Sequence, residues 1–132
     1  DASGKFLPSI GFLKKYIEPK PWEGLRIDTG VQEGSEISMY YDPMISKLIT
    51  HAKTRDEALD MQNECIDEYV IQGVVDNLGF CKSMINNADF RKGKYDTTFI
   101  GKNYPEGYHG EKLKPNDYTY LAVVAARIKN WI

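Results

Sequence analysis

The run Tyr40-Tyr41-Asp42-Pro43-Met44-Ile45-Ser46-Lys47-Leu48-Ile49 limits the fold more than any other stretch of the chain. Upstream of its proline, Ile37, Met39 and Tyr41 alternate with Glu36, Ser38 and Tyr40, the pattern of a half-buried strand. Downstream, Ile45, Lys47 and Ile49 alternate with Ser46, Leu48 and Thr50, so a second strand is expected. Pro43 has no N–H to give a ladder, which confines it to a bend or to a strand's first residue. Asp42 and Pro43 therefore read as a structural corner, with the Asp42 carboxylate accepting backbone N–H groups. The competing role for Asp42 is an acid/base pair with Lys47. The two residues lie in opposite phase along a bent segment, which works against their meeting.

The flanking sequence supplies further elements. Residues 10–17 and 24–30 read as two strands joined by Glu18-Pro19-Lys20-Pro21-Trp22-Glu23. The prolines stop pairing there and put Trp22 on a loop, either as an anchor for a partner or packed over the end of a hairpin. Gly30 to Gly34 is a turn. A helix should open at Thr54, because Thr54 with Glu57 makes a capping box and Asp56 and Glu57 suit the positive end of the dipole. Ala58, Met61, Cys65 and Tyr69 form its apolar stripe, with Leu59 and Ile66 alongside. Asp60, Glu64, Asp67 and Glu68 lie off that stripe and read as a solvated face.

Val70 to Val75, with Gly73 inside, reads as a buried strand or a close backbone crossing. A second helix is expected from Asp76 or Asn77, with Leu78, Cys81 and Ile85 inward, ending at Asn86-Asn87. Asp89 to Gly93 gives one helical turn stopped by glycine. Thr97 and Thr98 are placed to cap another short helix. Residues 101–115 lose periodicity and read as a linker. A last helix, 116–132, is expected with Asn116 or Asp117 as its cap and Leu121, Val124, Ala125 and Ile128 on its apolar stripe. Strands, helix, short strand and helix, without regular alternation, define an α+β fold: a mostly antiparallel sheet packed with helices, plus a C-terminal helix.

A chain of 132 residues fits one domain, with room for the start of another. Its net charge of −2 argues against nucleic acid as a main partner. No apolar run approaches the roughly 20 residues that span a bilayer. The opening Asp1-Ala2-Ser3-Gly4 reads as the interior of a longer polypeptide. Cys65 and Cys81 both fall on apolar helical stripes and are expected as buried free thiols of a reducing compartment. His51 and His109 are far apart, and no Cys/His or Asp/Asn/Gly cluster has metal spacing, so no metal ligand is assigned. There is no phosphate-cradling glycine loop and no Gly-x-Ser-x-Gly elbow. A nucleophilic Cys–His pair is opposed by the apolar setting of both thiols. From the residues alone, the segment folds but carries no self-contained active site, and no catalytic residue is assigned.

Six pieces of the sequence, in order, resemble one family. They are Phe6-Leu7-Pro8-Ser9-x-Gly11, Gly24-Leu25-Arg26-Ile27-Asp28, Tyr41 to Ile49, Arg55-x-x-Ala58, Ile71-x-Gly73-Val74-x-x-Asn77 and Phe90-x-x-Gly93. Together they resemble the C-terminal subdomain of biotin carboxylase over about residues 5–100. The variant Glu33 to Asp42 and the tail Tyr104-Pro105-x-Gly107-Tyr108-x-Gly110 look most like the α chains of propionyl-CoA carboxylases.

The resemblance implies residues 1–100 as that subdomain, 101–115 as a linker and 116–132 as the first helix of a domain that joins the carboxylase module to β subunits. It implies ATP- and bicarbonate-dependent carboxylation of enzyme-bound biotin, with Mg²⁺, then carboxyl transfer to propionyl-CoA by the β subunits, in the mitochondrial matrix. It places the family's phosphate, metal, bicarbonate and ureido contacts upstream of this chain and its biotinyl-lysine downstream. The fragment alone is thus expected to bind no cofactor and to be inactive. By family position, Thr97 and Thr98 fall near the adenine end of the ATP site, and Trp22 and Arg26 in a region of subunit contact. The expected partners are the ATP-grasp and biotin carrier domains of the same chain and the carboxyltransferase β subunit. Two other readings stand beside this one: an independent protein-binding module, and the same subdomain from another acyl-CoA carboxylase.

Overall fold

A computed structural model of the chain describes residues 6–111 and 114–129. The elements run β1 (Gly11–Phe12), β2 (Lys15–Ile17), β3 (Leu25–Thr29), β4 (Glu36–Ile37), β5 (Ser46–Thr50), α1 (Arg55–Glu68), β6 (Val70–Gln72), α2 (Leu78–Asn86), α3 (Ala88–Arg91), α4 (Phe99–Asn103) and α5 (Pro115–Lys129). The class is the expected α+β, with antiparallel strands backed by helices. The strands form three separate two-stranded ladders, β1–β4, β2–β6 and β3–β5, rather than one sheet.

That division corrects two expectations. Residues 10–17 do not make one strand, because the chain changes partner at Leu13 and Lys14. The Leu13 N–H donates to the Ser35 carbonyl and the Lys14 N–H to the Gln72 carbonyl, at 2.9 and 2.8 Å. Leu13 is fully buried at the change. Nor do β2 and β3 form a hairpin: Tyr16 pairs with Ile71, and Ile27 with Leu48. The connection between them is instead tied to the end of α1, where the Lys20 N–H donates to Glu68 Oε2 at 3.0 Å.

The strand expected over Ile37–Tyr41 ends at Ile37. Side chains replace ladder partners beyond it, as short polar residues do in turns. Ser38 Oγ accepts the Tyr40 N–H at 3.2 Å, and Asp42 Oδ1 accepts the Met44 N–H at 3.1 Å. The alternation continues as sequence, but Met39, Tyr40 and Tyr41 are strongly exposed. In β5 the half-buried phase is Ser46, Leu48 and Thr50.

The capping box of α1 is present in both directions: Thr54 Oγ1 accepts the Glu57 N–H at 3.2 Å, and Glu57 Oε2 accepts the Thr54 N–H at 3.1 Å. Of the two candidates for the start of α2, Asp76 serves and Asn77 does not, and the Thr98 cap of α4 is absent. Asn77 makes no side-chain bond to α2; Asp76 Oδ1 takes the Leu78 N–H instead, at 2.9 Å. Thr98 likewise leaves α4 uncapped and gives both its N–H and its hydroxyl to Asp96 Oδ1, at 2.8 and 2.5 Å. In each case an aspartate one or two residues earlier supplies a charged acceptor, which outcompetes a neutral one.

The core is small: Leu13, Ile37, Cys65, Ile66, Tyr69, Ile85 and Phe99 are the buried apolar residues among those described. Helix α1 lies between β5 and α2, and α3 sits against both helices. Within residues 101–115, α4 runs to Asn103, and Tyr104 and Tyr108 then lie against Phe80 of α2, with ring centroids 5.0 and 5.6 Å away. Helix α5 starts at Pro115, with Asp117 reaching back from inside the first turn to the Lys114 N–H. Its Tyr118, Tyr120, Leu121, Val123 and Val124 are all exposed. Residues 130–132 and the side chain of Ile128 lie outside the described residues.

Candidate functional site

The folding of Phe6–Ser9, β5, α1 and α2 around one another leaves a concavity of about 670 Å³. Its apolar lining includes Phe6, Leu7, Met44, Leu48, Ile66 and Phe80. Ser9 Oγ pins the entering segment to the β6–α2 loop by accepting the Val75 N–H at 3.0 Å. Ile100 and Tyr108 bring residues from beyond α3 to the same groove.

Several of the polar groups on its walls are engaged in the fold. Ser46 Oγ and Tyr69 Oη share a hydrogen bond of 3.0 Å. Gln62 Oε1 accepts the Thr50 hydroxyl at 2.8 Å, and its amide donates to the Leu48 carbonyl. Asp76 is occupied at the start of α2. Burial pushes the Tyr69 phenol well above its usual range, outweighing the Ser46 bond that favours its ionised form. Burial, and after it the charge of Asp76, push the Cys81 thiol up, which makes it a poor nucleophile. Cys65 is fully buried and also shifted upward by burial, and both thiols are free.

Other residues singled out in the sequence lie elsewhere. Asp42 is exposed and holds the Met44 N–H over Pro43. Lys47 is exposed on β5 opposite Asp28 of β3, and its charge acts on Asp28. The two do not converge on a cavity, so the small-enzyme reading built on them is set aside. Arg26 grips Asp28 on the same strand through two bonds of 2.8 and 2.7 Å. That grip, before the opposing effect of desolvation, holds the Asp28 carboxyl below its usual range. Trp22 is half-buried, and its carbonyl accepts the Leu25 N–H. Thr97 and Thr98 are exposed at the head of α4, just before groove residue Ile100. Tyr69, Phe80 and Tyr108, which shape the groove, were not legible as site residues. Tyr69 reads as stripe and Tyr108 as linker, and only contacts distant in sequence bring them together.

No cluster of three or more His, Cys, Asp or Glu able to hold a metal ion occurs among the described residues. Among the described residues, then, no such cluster offers Mg²⁺ a cradle. Asp96, two residues before Thr98, is held below the usual carboxylate range by its bonds from Thr98 and is paired with Lys102 at 3.5 Å.

Fold and groove thus define a small α+β domain of short antiparallel ladders backed by helices. The chain belongs to the family of biotin carboxylase C-terminal domains, whose model matches residues 1–102. Among its relatives, the mitochondrial propionyl-CoA carboxylase α chain of Caenorhabditis elegans is 42% identical over 92% of this chain. The mitochondrial methylcrotonoyl-CoA carboxylase subunit α of Dictyostelium discoideum is 41% identical over 72% of it. The chain spans only 17% of the first of these proteins and 14% of the second.

Solved structures agree. The biotin carboxylase domain of Hydrogenobacter thermophilus 2-oxoglutarate carboxylase, in complex with MgADP, ADP and bicarbonate, matches with a TM-score of 0.71. It is 33% identical and covers 74% of this chain and 21% of its own. A Rhizobium etli pyruvate carboxylase structure with acetyl coenzyme A matches with a TM-score of 0.76. It is 30% identical and covers 86% of this chain and 11% of its own.

Proposed function

We propose that the chain is the C-terminal part of the biotin carboxylase component of a mitochondrial propionyl-CoA carboxylase and serves there as a wall of the active-site cleft, without reacting groups of its own. The observation that carries this is the state of the groove: Ser46, Tyr69 and Gln62 on its walls are spent on internal hydrogen bonds, and its thiol is raised by burial. Stabilising a transferring phosphoryl or carboxyl group takes preorganised charge aimed at it. In this reading, charged groups from upstream of residue 1 hold ATP, Mg²⁺ and bicarbonate, and the biotin carrier domain brings the acceptor.

The propionyl-CoA assignment is supported by the 42% identity over 92% of the chain, set against a shorter match to the methylcrotonoyl-CoA relative. The mitochondrial matrix is proposed from the names of these relatives, which are mitochondrial. Thr97 and Thr98 are proposed to lie near the adenine, the uncharged end of the nucleotide. Residues 1–100 form the subdomain, 101–115 the connection, and the helix from 116 opens the subunit-joining domain. Its partners are the ATP-grasp and biotin carrier domains and the carboxyltransferase β subunit.

A bicarbonate-dependent ATPase assay on the 132-residue chain tests the central claim: no turnover above background is expected, and robust hydrolysis overturns it. Trp22, only half-buried on the loop between β2 and β3, favours a second reading, an independent protein-binding module. Mixing the β subunit with the chain, with and without residues 101–132, separates the two. Binding lost with the tail fits the wall reading, and tight binding that survives its loss fits a module acting through the Trp22 loop.

A further inference from the structure

We infer that Phe80 is a clasp that couples the segment leading into β1 to the strap that follows α4. The two segments are far apart in sequence and meet on this one ring. The Phe6 ring centroid stands 4.5 Å from that of Phe80, and those of Tyr104 and Tyr108 stand 5.0 and 5.6 Å from it. All three fall within the separation of about 4.5–7 Å at which aromatic pairs attract beyond their burial.

The local sequence prepares α2 for this role. Gly79, Phe80 and Ser83 share one side of the helix, because residues three and four apart are surface neighbours. Ser83 Oγ and Tyr104 Oη share a hydrogen bond of 2.9 Å. A Cβ at position 79 would stand 3.4 Å from the Tyr108 hydroxyl, so glycine there lets the strap lie close to the helix. The strap is itself a formed turn, closed by the Gly107 N–H donating to the Tyr104 carbonyl at 3.0 Å. The leading segment is held as well: Ser9 Oγ accepts the Val75 N–H at 3.0 Å. Phe6 has φ 60°, a left-handed conformation that a bulky residue keeps only where its surroundings hold it, and the Phe80 ring is what it rests on. Each docked segment therefore orders the ring that the other needs. Such a coupling is reciprocal: whatever loosens one segment must loosen the other by the same factor. In the longer polypeptide of the proposed function, the clasp would pass a disturbance beyond α4 to the stretch before β1. Only that consequence rests on the carboxylase reading, and the test below does not.

Two amides report on the two segments separately. The Val75 N–H is bonded to Ser9 of the leading segment, and the Gly107 N–H closes the turn of the strap. Hydrogen exchange of the 132-residue chain, read by NMR, should show Phe6→Ala speeding Gly107 as well as Val75, each roughly two- to tenfold, the effect of one lost aromatic pair. Tyr104→Ala should speed Val75 as well as Gly107. Phe80→Leu, which keeps an apolar side chain and removes the ring, should speed both. The Ala58 N–H, bonded to the Thr54 carbonyl at the start of α1, should keep its rate in all three. If each variant moves only the reporter of its own segment, or if Ala58 rises with the others, the clasp is refuted. Should Tyr104→Ala or Phe80→Leu fail to fold, Phe6→Ala decides alone: Phe6 is 45% exposed, and an unchanged Gly107 rate in that variant overturns the coupling.

Discussion

The Arg55 guanidinium donates to the Phe90 carbonyl at 2.8 Å and lies 5.2 Å from the centre of that same residue's ring. A second bond from its Nε reaches the Arg91 carbonyl at 3.1 Å. The first turn of α1 thereby closes the end of α3, where the negative end of the dipole favours a cation; the Phe90 carbonyl also accepts the Gly93 N–H, at 3.0 Å. Arg91 returns the contact with an ion pair to Asp60 at 2.7 Å. Two stretches that match the family pattern separately, around Arg55 and around Phe90, are thus one interaction in space.

Arg55→Lys should destabilise the chain although the charge is kept. An ammonium cannot hold two carbonyls in a fork or lie flat over Phe90 and Tyr95. The loss of one charge-assisted bond and the stacking should amount to about 1–3 kcal/mol. Urea unfolding checks it: the midpoint should fall with the slope unchanged. An unaltered midpoint would mean the clamp contributes nothing net.

The capping box of α1 gives a second expectation. Thr54→Ala leaves the Glu57 N–H without its acceptor and should cost about 1 kcal/mol. Glu57→Ala should cost less, because the Thr54 N–H it releases is exposed to water. Since each side chain positions the other, the double variant should fall short of the sum of the two. Three unfolding curves against the unaltered chain measure it.

The same comparison shows which parts of the fold could be read from the residues. Where the governing interaction is local, as in the Thr54–Glu57 box or the Gly93 stop after α3, the sequence carries it whole. It fails where partners lie far apart. Alternation continues past Ile37 to Tyr41, but whether a ladder continues depends on a neighbouring strand, and β1 offers only Gly11 and Phe12. The split of residues 10–17 between β4 and β6 is invisible for the same reason. The residues left Asp76 and Asn77 as equal candidates at the start of α2 and only geometry chose Asp76, whereas at α4 the Asp96 carboxylate, two residues earlier, took the bonds of Thr98. The groove was not legible because its lining comes from segments up to a hundred residues apart, none of which carries chemistry of its own.

The Arg26–Asp28 pair predicts a pH dependence. The Arg26 bond is the leading cause that holds the folded Asp28 carboxyl below its usual value of 3.8, so the folded state binds fewer protons there than the unfolded one. Whatever stability the pair contributes is complete above the usual carboxylate range. It is lost as pH falls through the lower, folded value. Comparing the unaltered chain with Asp28→Asn should show a small difference at neutral pH that vanishes in acid. Added salt should shrink it too, because the pair is exposed. A difference that grows on acidification would reverse the sign and refute the assignment.

Three glycines separate backbone strain from close approach. Gly30 has ordinary backbone angles and open space around it, so Gly30→Ala should be neutral or slightly stabilising through the unfolded chain. Gly93 sits at φ 71° with nothing within 4 Å of an added Cβ, so Gly93→Ala should cost only the left-handed strain, about 1–2 kcal/mol. Gly73 combines φ 108° with contact: a Cβ there would fall 2.0 Å from the Phe12 carbonyl oxygen and 2.9 Å from the Lys14 nitrogen. Both neighbours are backbone at the point where the chain passes from β1 to β2, so neither can move without breaking the Lys14–Gln72 bond or displacing Leu13 from the core. Gly73→Ala should therefore be the most destabilising of the three by a clear margin. It should also loosen the β2–β6 ladder selectively, seen as faster amide exchange at Lys14 and Ile17 than in α1. If Gly73→Ala and Gly93→Ala proved equally costly, the close crossing of β1 and β6 would not be the constraint that holds glycine at this position.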